Sequence, residues 1–184
     1  QRAHALATAR KDYWKSRSVP EAVKEIGELI GVRPSLQSPQ VESRGVVQRG
    51  TYQIEKLVLQ RPDEIPVPGL LFVPSGIEGK HSATLYLDGR GKATDANVGG
   101  EIEKRLARGE IVLSLDLRGF GETSDRKRNV VYYTREFRAG MWSLHLGQTL
   151  LGQRVEDALS GFQVLSNHAH VDARQIHLVG IERG

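Results

Sequence analysis

The chain has 184 residues, enough for one domain with a substantial core, and its 26 basic and 22 acidic side chains leave a formal charge of only +4. So even a balance argues against a nucleic-acid partner, and the lack of cysteine excludes disulfides, thiolate zinc sites and a cysteine nucleophile. No stretch is long and apolar enough to cross a bilayer, which gives no support to a membrane partner.

Two helical patterns come first. Residues 2–16 place Leu6, Ala9, Tyr13 and Trp14 at roughly helical spacing, and residues 20–31 do the same with Val23, Ile26, Leu29 and Ile30. Ser18 ahead of Pro20 and Glu21 is a start signal for the second helix, and Gly31 is a stop. The stretch from Arg33 to Pro39 has two prolines and no periodicity, so it reads as a linker. The expected division is a helical extension and linker over 1–40, then an α/β portion over 41–184. The first residue is not Met and the last stands in mid-motif, so the sequence reads as a piece cut at both ends, incomplete at its C-terminus. A signal peptide upstream would be invisible, and localisation stays open.

The pattern then changes. Tyr52 to Leu59 alternates as a half-exposed strand does, and Pro66 to Pro74 predicts a second strand pairing with it as an antiparallel hairpin. Ala83–Leu87 and Ile111–Leu115 are short, continuously apolar runs, the mark of buried parallel strands. Between them, Gly100 to Arg108 predicts a helix with Ile102, Leu106 and Ala107 inward. Val155, Leu159, Phe162 and Leu165 predict another helix, and Ile176–Val179 another buried strand. This alternation predicts an α/β fold, a mostly parallel sheet with flanking helices and right-handed crossovers.

In such sheets, sites gather at the carboxyl ends of the strands. The first loop to inspect is Asp88-Gly89-Arg90-Gly91-Lys92, whose glycines let the backbone turn with an exposed N–H of the kind that stabilises an oxyanion. The second runs from Asp116 to Ser124. Its Gly119 and Gly121 lack the third glycine of a dinucleotide turn, and an Asp116–Arg118 ion pair is expected to fix it. The third is Gly180-Ile181-Glu182-Arg183-Gly184. Gly-x-Ser-x-Gly after a buried strand is the turn that presents a nucleophilic serine, and its glycines relieve clashes with the neighbouring strand and helix. Here both glycines are present, and Glu182 stands where serine belongs.

Other candidates carry less. His177 is expected to be a packed strand residue. His168, His170 and Asp172 alternate like metal ligands, but the spacing is common in loops, so no metal site is assigned. Arg126-Lys127-Arg128 reads as a solvated loop. Ser124 is expected to bond its own turn and Ser143 to lie beside the site; neither has a nucleophile's setting.

Together these segments resemble the α/β-hydrolase superfamily and, within it, the acetyl xylan esterase-like branch. The resemblance runs from about Tyr52 to Gly184. It rests on the Val67–Pro74 strand, the Tyr86–Gly91 loop, Leu115–Ser124, the helix from Leu150 to Leu159, and Asp172–Gly180 leading into the elbow. It implies a truncated α/β-hydrolase core behind a helical extension. It also implies carboxylic-ester hydrolysis on a small ester or acetylated carbohydrate without a cofactor, in a protein that is secreted or periplasmic in some relatives. By position, Glu182 takes the nucleophile's place, and the backbone N–H groups of Arg183 and Arg90 take the oxyanion donors' places. The triad acid and histidine would lie further along. Glu182 leaves three readings open: a non-catalytic copy kept for carbohydrate binding or scaffolding, a carboxylate nucleophile, or a general base working through water.

Overall fold

The structure, a computed structural model, describes residues 2–62, 64–124, 135–182 and 184. Two helices lead the chain, α1 (Arg2–Lys15) and α2 (Val19–Ile30). The Glu21 carboxylate receives the amide and hydroxyl of Ser18 at 2.9 and 2.7 Å, fixing the first turn of α2. Gly31 ends it in the left-handed region at φ 75°. Polar contacts join the two helices. Tyr13 donates to Glu25 (2.7 Å), while Arg17 bonds Glu25 and stacks 4.1 Å over the Tyr13 ring. Three of the four apolar positions that predict α2, Val23, Ile26 and Leu29, are left exposed, Val23 and Leu29 at 65% and 76%.

One six-stranded sheet follows, built from β1 (Gln40–Arg49), β2 (Tyr52–Gln60), β3 (Val67–Pro74), β4 (His81–Asp88), β5 (Ile111–Leu115) and β6 (Val171–Ile181), in the order β1-β2-β3-β5-β4-β6. The expected hairpin forms, with β2 antiparallel to β3 and Leu57 opposite Gly69. The unpredicted β1 adds an antiparallel strand outside β2; all ten of its residues are exposed, so no buried face marked it in the sequence. β3 and β5 are antiparallel, whereas β5, β4 and β6 are parallel.

Alternation along the strands makes two cores. Leu71, Leu85, Leu87, Leu113 and Leu115 point to one face and pack with Leu165 of α5 (Leu150–Ser166). Phe72, Tyr86 and Val112 point to the other and pack with Ile102 and Leu106 of α3 (Glu101–Leu106). α5 starts before the predicted Val155 because the Thr149 hydroxyl caps it, accepting the Gly152 N–H at 2.8 Å. A further helix, α4 (Arg135–His145), precedes it.

The leading segment is fastened to this core. Thr149 donates its hydroxyl to the Ile30 carbonyl, and Arg33 gives its amide (2.9 Å) and guanidinium (3.0 Å) to the buried Glu156. A Cβ on Gly152 would strike the Ile30 carbonyl oxygen, so the fit there requires glycine.

One expectation needs correction. β6 forms and is longer than predicted, but it is not a buried strand. His177 is exposed rather than packed, and Leu178 is 68% exposed. Among the described residues β6 pairs only with β4, and although it touches α5, the two leave an apolar cavity of about 750 Å³ beside them, lined by Leu159, Phe162 and Leu178 among others.

Candidate active site

The three loops meet at the carboxyl ends of β4, β5 and β6. Glu182 follows β6 at φ 57°, and among the described residues it is the non-glycine residue with positive φ. Such a conformation costs on the order of 1 kcal/mol or more and persists only where its surroundings enforce it. Here they do. A Cβ on Gly180 would sit 2.6 Å from the Gly184 carbonyl oxygen, and one on Gly184 would collide with the backbone of Leu87 and Asp88. The bend therefore closes on itself and against the end of β4, as the Gly184 N–H bond to Ile181 (2.9 Å) also records.

The Asp88–Lys92 turn lies alongside. Its Gly89 N–H donates to the Ile181 carbonyl at 3.1 Å, and Arg90 Nε stands 3.8 Å from the Glu182 carboxylate. The Arg90 N–H, expected to be an oxyanion donor, is given to the carboxylate of Asp88 at 2.8 Å. The same carboxylate takes Arg90 Nε at 2.9 Å and Nη2 at 2.6 Å. These bonds from Arg90 hold the buried Asp88 carboxyl below its ordinary range, outweighing the burial that opposes ionisation. Arg183, the other expected donor, lies outside the described residues, as does the Arg126–Arg128 run.

The second loop is held by a different pair from the one expected. Asp116 does not bind Arg118. It accepts the Lys92 amide and ammonium, both at 2.6 Å, and the Glu122 amide at 2.9 Å, and so joins the Asp88–Lys92 turn to the 3-10 turn at Gly121–Thr123. Arg118 instead faces α5, giving its N–H (3.1 Å) and guanidinium (2.7 and 2.9 Å) to Asp157, with Glu64 at 3.1 Å. Burial works against the charged Arg118 guanidinium, but Asp157 and Glu64 more than offset it and raise its pKa. Sequence reasoning missed Lys92, Glu64, Glu156 and Asp157. The apolar spacing gave no signal for them, because two of the positions that predict the helix, Leu159 and Phe162, are exposed, while the buried face of α5 carries Glu156 and Asp157, where a buried charge demands a partner.

The lesser candidates are also located. Ser124 donates to the Gly121 carbonyl at 2.7 Å, bonding its turn as expected, and Ser143 is buried on α4. His168 accepts the His170 N–H at 3.2 Å, while Asp172 is engaged by Arg174 and Gln175.

No family model and no curated protein sequence matches the chain. Solved structures do. A Bacteroides fragilis NCTC 9343 protein assigned as an acetyl xylan esterase superposes over 89% of this chain and 46% of its own, with 20% identity and a TM-score of 0.72. The fold is the α/β-hydrolase fold. Acetyl xylan esterase 1 from Thermoanaerobacterium sp. JW/SL YS485 matches over 80% of this chain and 46% of its own (20% identity, TM-score 0.61). A glucuronoyl esterase from Solibacter usitatus matches over 92% and 53% (16% identity, TM-score 0.59). The chain thus spans about half the length of the structures it matches. In the α/β-hydrolase frame, the helices α1 and α2 form the expected N-terminal extension, and the sheet is mixed, not wholly parallel, because β1, β2 and β3 run antiparallel.

Proposed function

We propose that this chain is an ester-hydrolase domain of the acetyl xylan esterase type, with Glu182 at the nucleophile position, and that this copy has no serine-esterase activity. The observation that carries the reading is the strained bend at Glu182, framed by Gly180 and Gly184 and set against the Asp88–Lys92 turn. A serine there would be poised for acyl transfer; a carboxylate cannot form the acyl-enzyme that a serine alkoxide forms. The role left to the site is recognition of a small ester or acetylated carbohydrate without turnover, with no cofactor required. The backbone N–H groups of Arg90 and Arg183 take, by position, the oxyanion donors' places, and that of Arg90 is already given to the Asp88 carboxylate.

The test is p-nitrophenyl acetate turnover with a serine-directed phosphonate, beside titration with acetylated xylo-oligosaccharides. The expected result is binding with no phosphonate-sensitive turnover. Turnover abolished by the phosphonate would overturn the proposal. Turnover that resists the phosphonate and disappears in Glu182→Gln would instead assign carboxylate chemistry to Glu182.

A further inference from the structure

We infer that Asp88 is an internal anion filling the position an ester's developing oxyanion would need, so that two carboxylates close the site, Asp88 and Glu182. The inference rests on the reading above, in which the Asp88–Lys92 turn faces the ester oxygen.

An inventory of the turn's N–H groups leads to it. Gly89 donates to the Ile181 carbonyl (3.1 Å) and Gly91 to the Asp88 carbonyl (2.9 Å). Lys92 donates to Asp116 (2.6 Å), and Arg90 to the side chain of Asp88 (2.8 Å). All four are engaged. Two of the acceptors are main-chain carbonyls, and the Asp116 carboxylate is a tie between loops, held by the Lys92 ammonium and by the amides of Lys92 and Glu122. The Asp88 carboxylate is the remaining one, and its surroundings are those of a bound carboxylate ligand: one main-chain N–H and a two-pronged guanidinium, at 2.8, 2.9 and 2.6 Å.

Neighbouring charges do not duplicate this role. Glu182 and Asp95 approach the same guanidinium only to 3.8 and 3.9 Å, outside hydrogen-bond range. Asp88 is buried, so its carboxylate is screened from water, while the outer side of the Arg90 guanidinium stays half-exposed. Removing its carboxylate would leave a small recess lined by the Arg90 N–H and guanidinium fork, matched to acetate, the anion that an acetyl ester releases.

The experiment is an acetate titration at constant ionic strength against chloride, followed on the 15N resonances of the Arg90 amide and Nε. Asp88→Ala and Asp88→Ser open the recess. Each is expected to bind acetate with a Kd lower than that of the unmodified protein by about tenfold or more, as gaining a charge-assisted contact implies. Asp88→Asn fills the same volume and is expected to show no gain. The inference is overturned if acetate shifts the Arg90 resonances of the unmodified protein with the variants' Kd. It is also overturned if folded Asp88→Ala and Asp88→Ser gain nothing, or if Asp88→Asn gains as much as they do, which would put acetate on the outer guanidinium surface. None of these readouts involves turnover, so phosphonate-sensitive hydrolysis by the unmodified protein would fail the functional proposal separately.

Discussion

β5 and β6 lie on either side of β4 and both run parallel to it, yet their surroundings have little in common. β5 has strands at both edges and helices over both faces, and Ile111, Val112, Leu113 and Leu115 are all at 0% exposure. β6 has one strand neighbour among the described residues, and α5 touches one of its faces beside an apolar cavity that leaves Leu178 exposed. An apolar strand is sealed by its neighbours, and its own composition cannot supply them. The loop beyond β5 extends the contrast, since Arg118 is locked to buried carboxylates while Glu182 beyond β6 meets Arg90 only at 3.8 Å.

This contrast can be tested, starting where the loss should be largest. Asp157→Ala removes the carboxylate facing Arg118 and Arg61, leaving buried cations short of a counter-charge. Urea unfolding should show a loss of about 3–5 kcal/mol. Leu113→Ala, in the sealed strand, should cost about 2–5 kcal/mol by the same measurement. Its counterpart Leu178→Ala in β6 should stay within about 0.5 kcal/mol. A loss for Leu178→Ala as large as that for Leu113→Ala would erase the difference between the strands.

The smallest effect belongs to the turn that enters β6. Burial, assisted by the adjacent His170, holds the His168 imidazole below its ordinary pKa. The unfolded chain therefore takes up a proton first, at about pH 6.5, and the folded chain only at lower pH. Stability contributed by neutral His168 is present above about pH 6.5 and is lost as the pH falls through and below that value. Urea midpoints measured at about pH 7.5 and 5.5 should differ less in His168→Gln than in the unmodified protein. Equal differences in the two proteins would remove His168 from the account.

Much of this architecture was legible in the chain. β2 to β5 and α3 followed from alternation and from apolar runs, because those segments are buried on the faces their side chains dictate. Gly180, Glu182 and Gly184 were legible because the steric demand of a tight bend is written into adjacent positions. β1 was not, since an exposed edge strand needs no apolar face. Nor were the charge pairings. Asp116 lies two residues from Arg118 in the chain, but its partner Lys92 is 24 residues away, and the Arg118 partner Asp157 is 39 away. Spacing along one segment carries no record of which turn folds over which. The acceptor for the Arg90 N–H was close at hand in Asp88, but glycines on both sides suggested an open donor when the carboxylate two residues back had already taken it.

The fastening of Ile30 and Arg33 to the start of α5 bears on any attempt to divide the protein. The prolines after Arg33 look like punctuation, an inviting place to cut. Trimming the lead-in there would strip the Glu156 carboxylate of its Arg33 counter-ion, leaving Arg61 alone to balance it, and would expose the notch at Gly152 that the Ile30 carbonyl now fills. An excised sheet would start life with an unbalanced carboxylate in α5, so the opening helices are best regarded as part of the core's electrostatic frame.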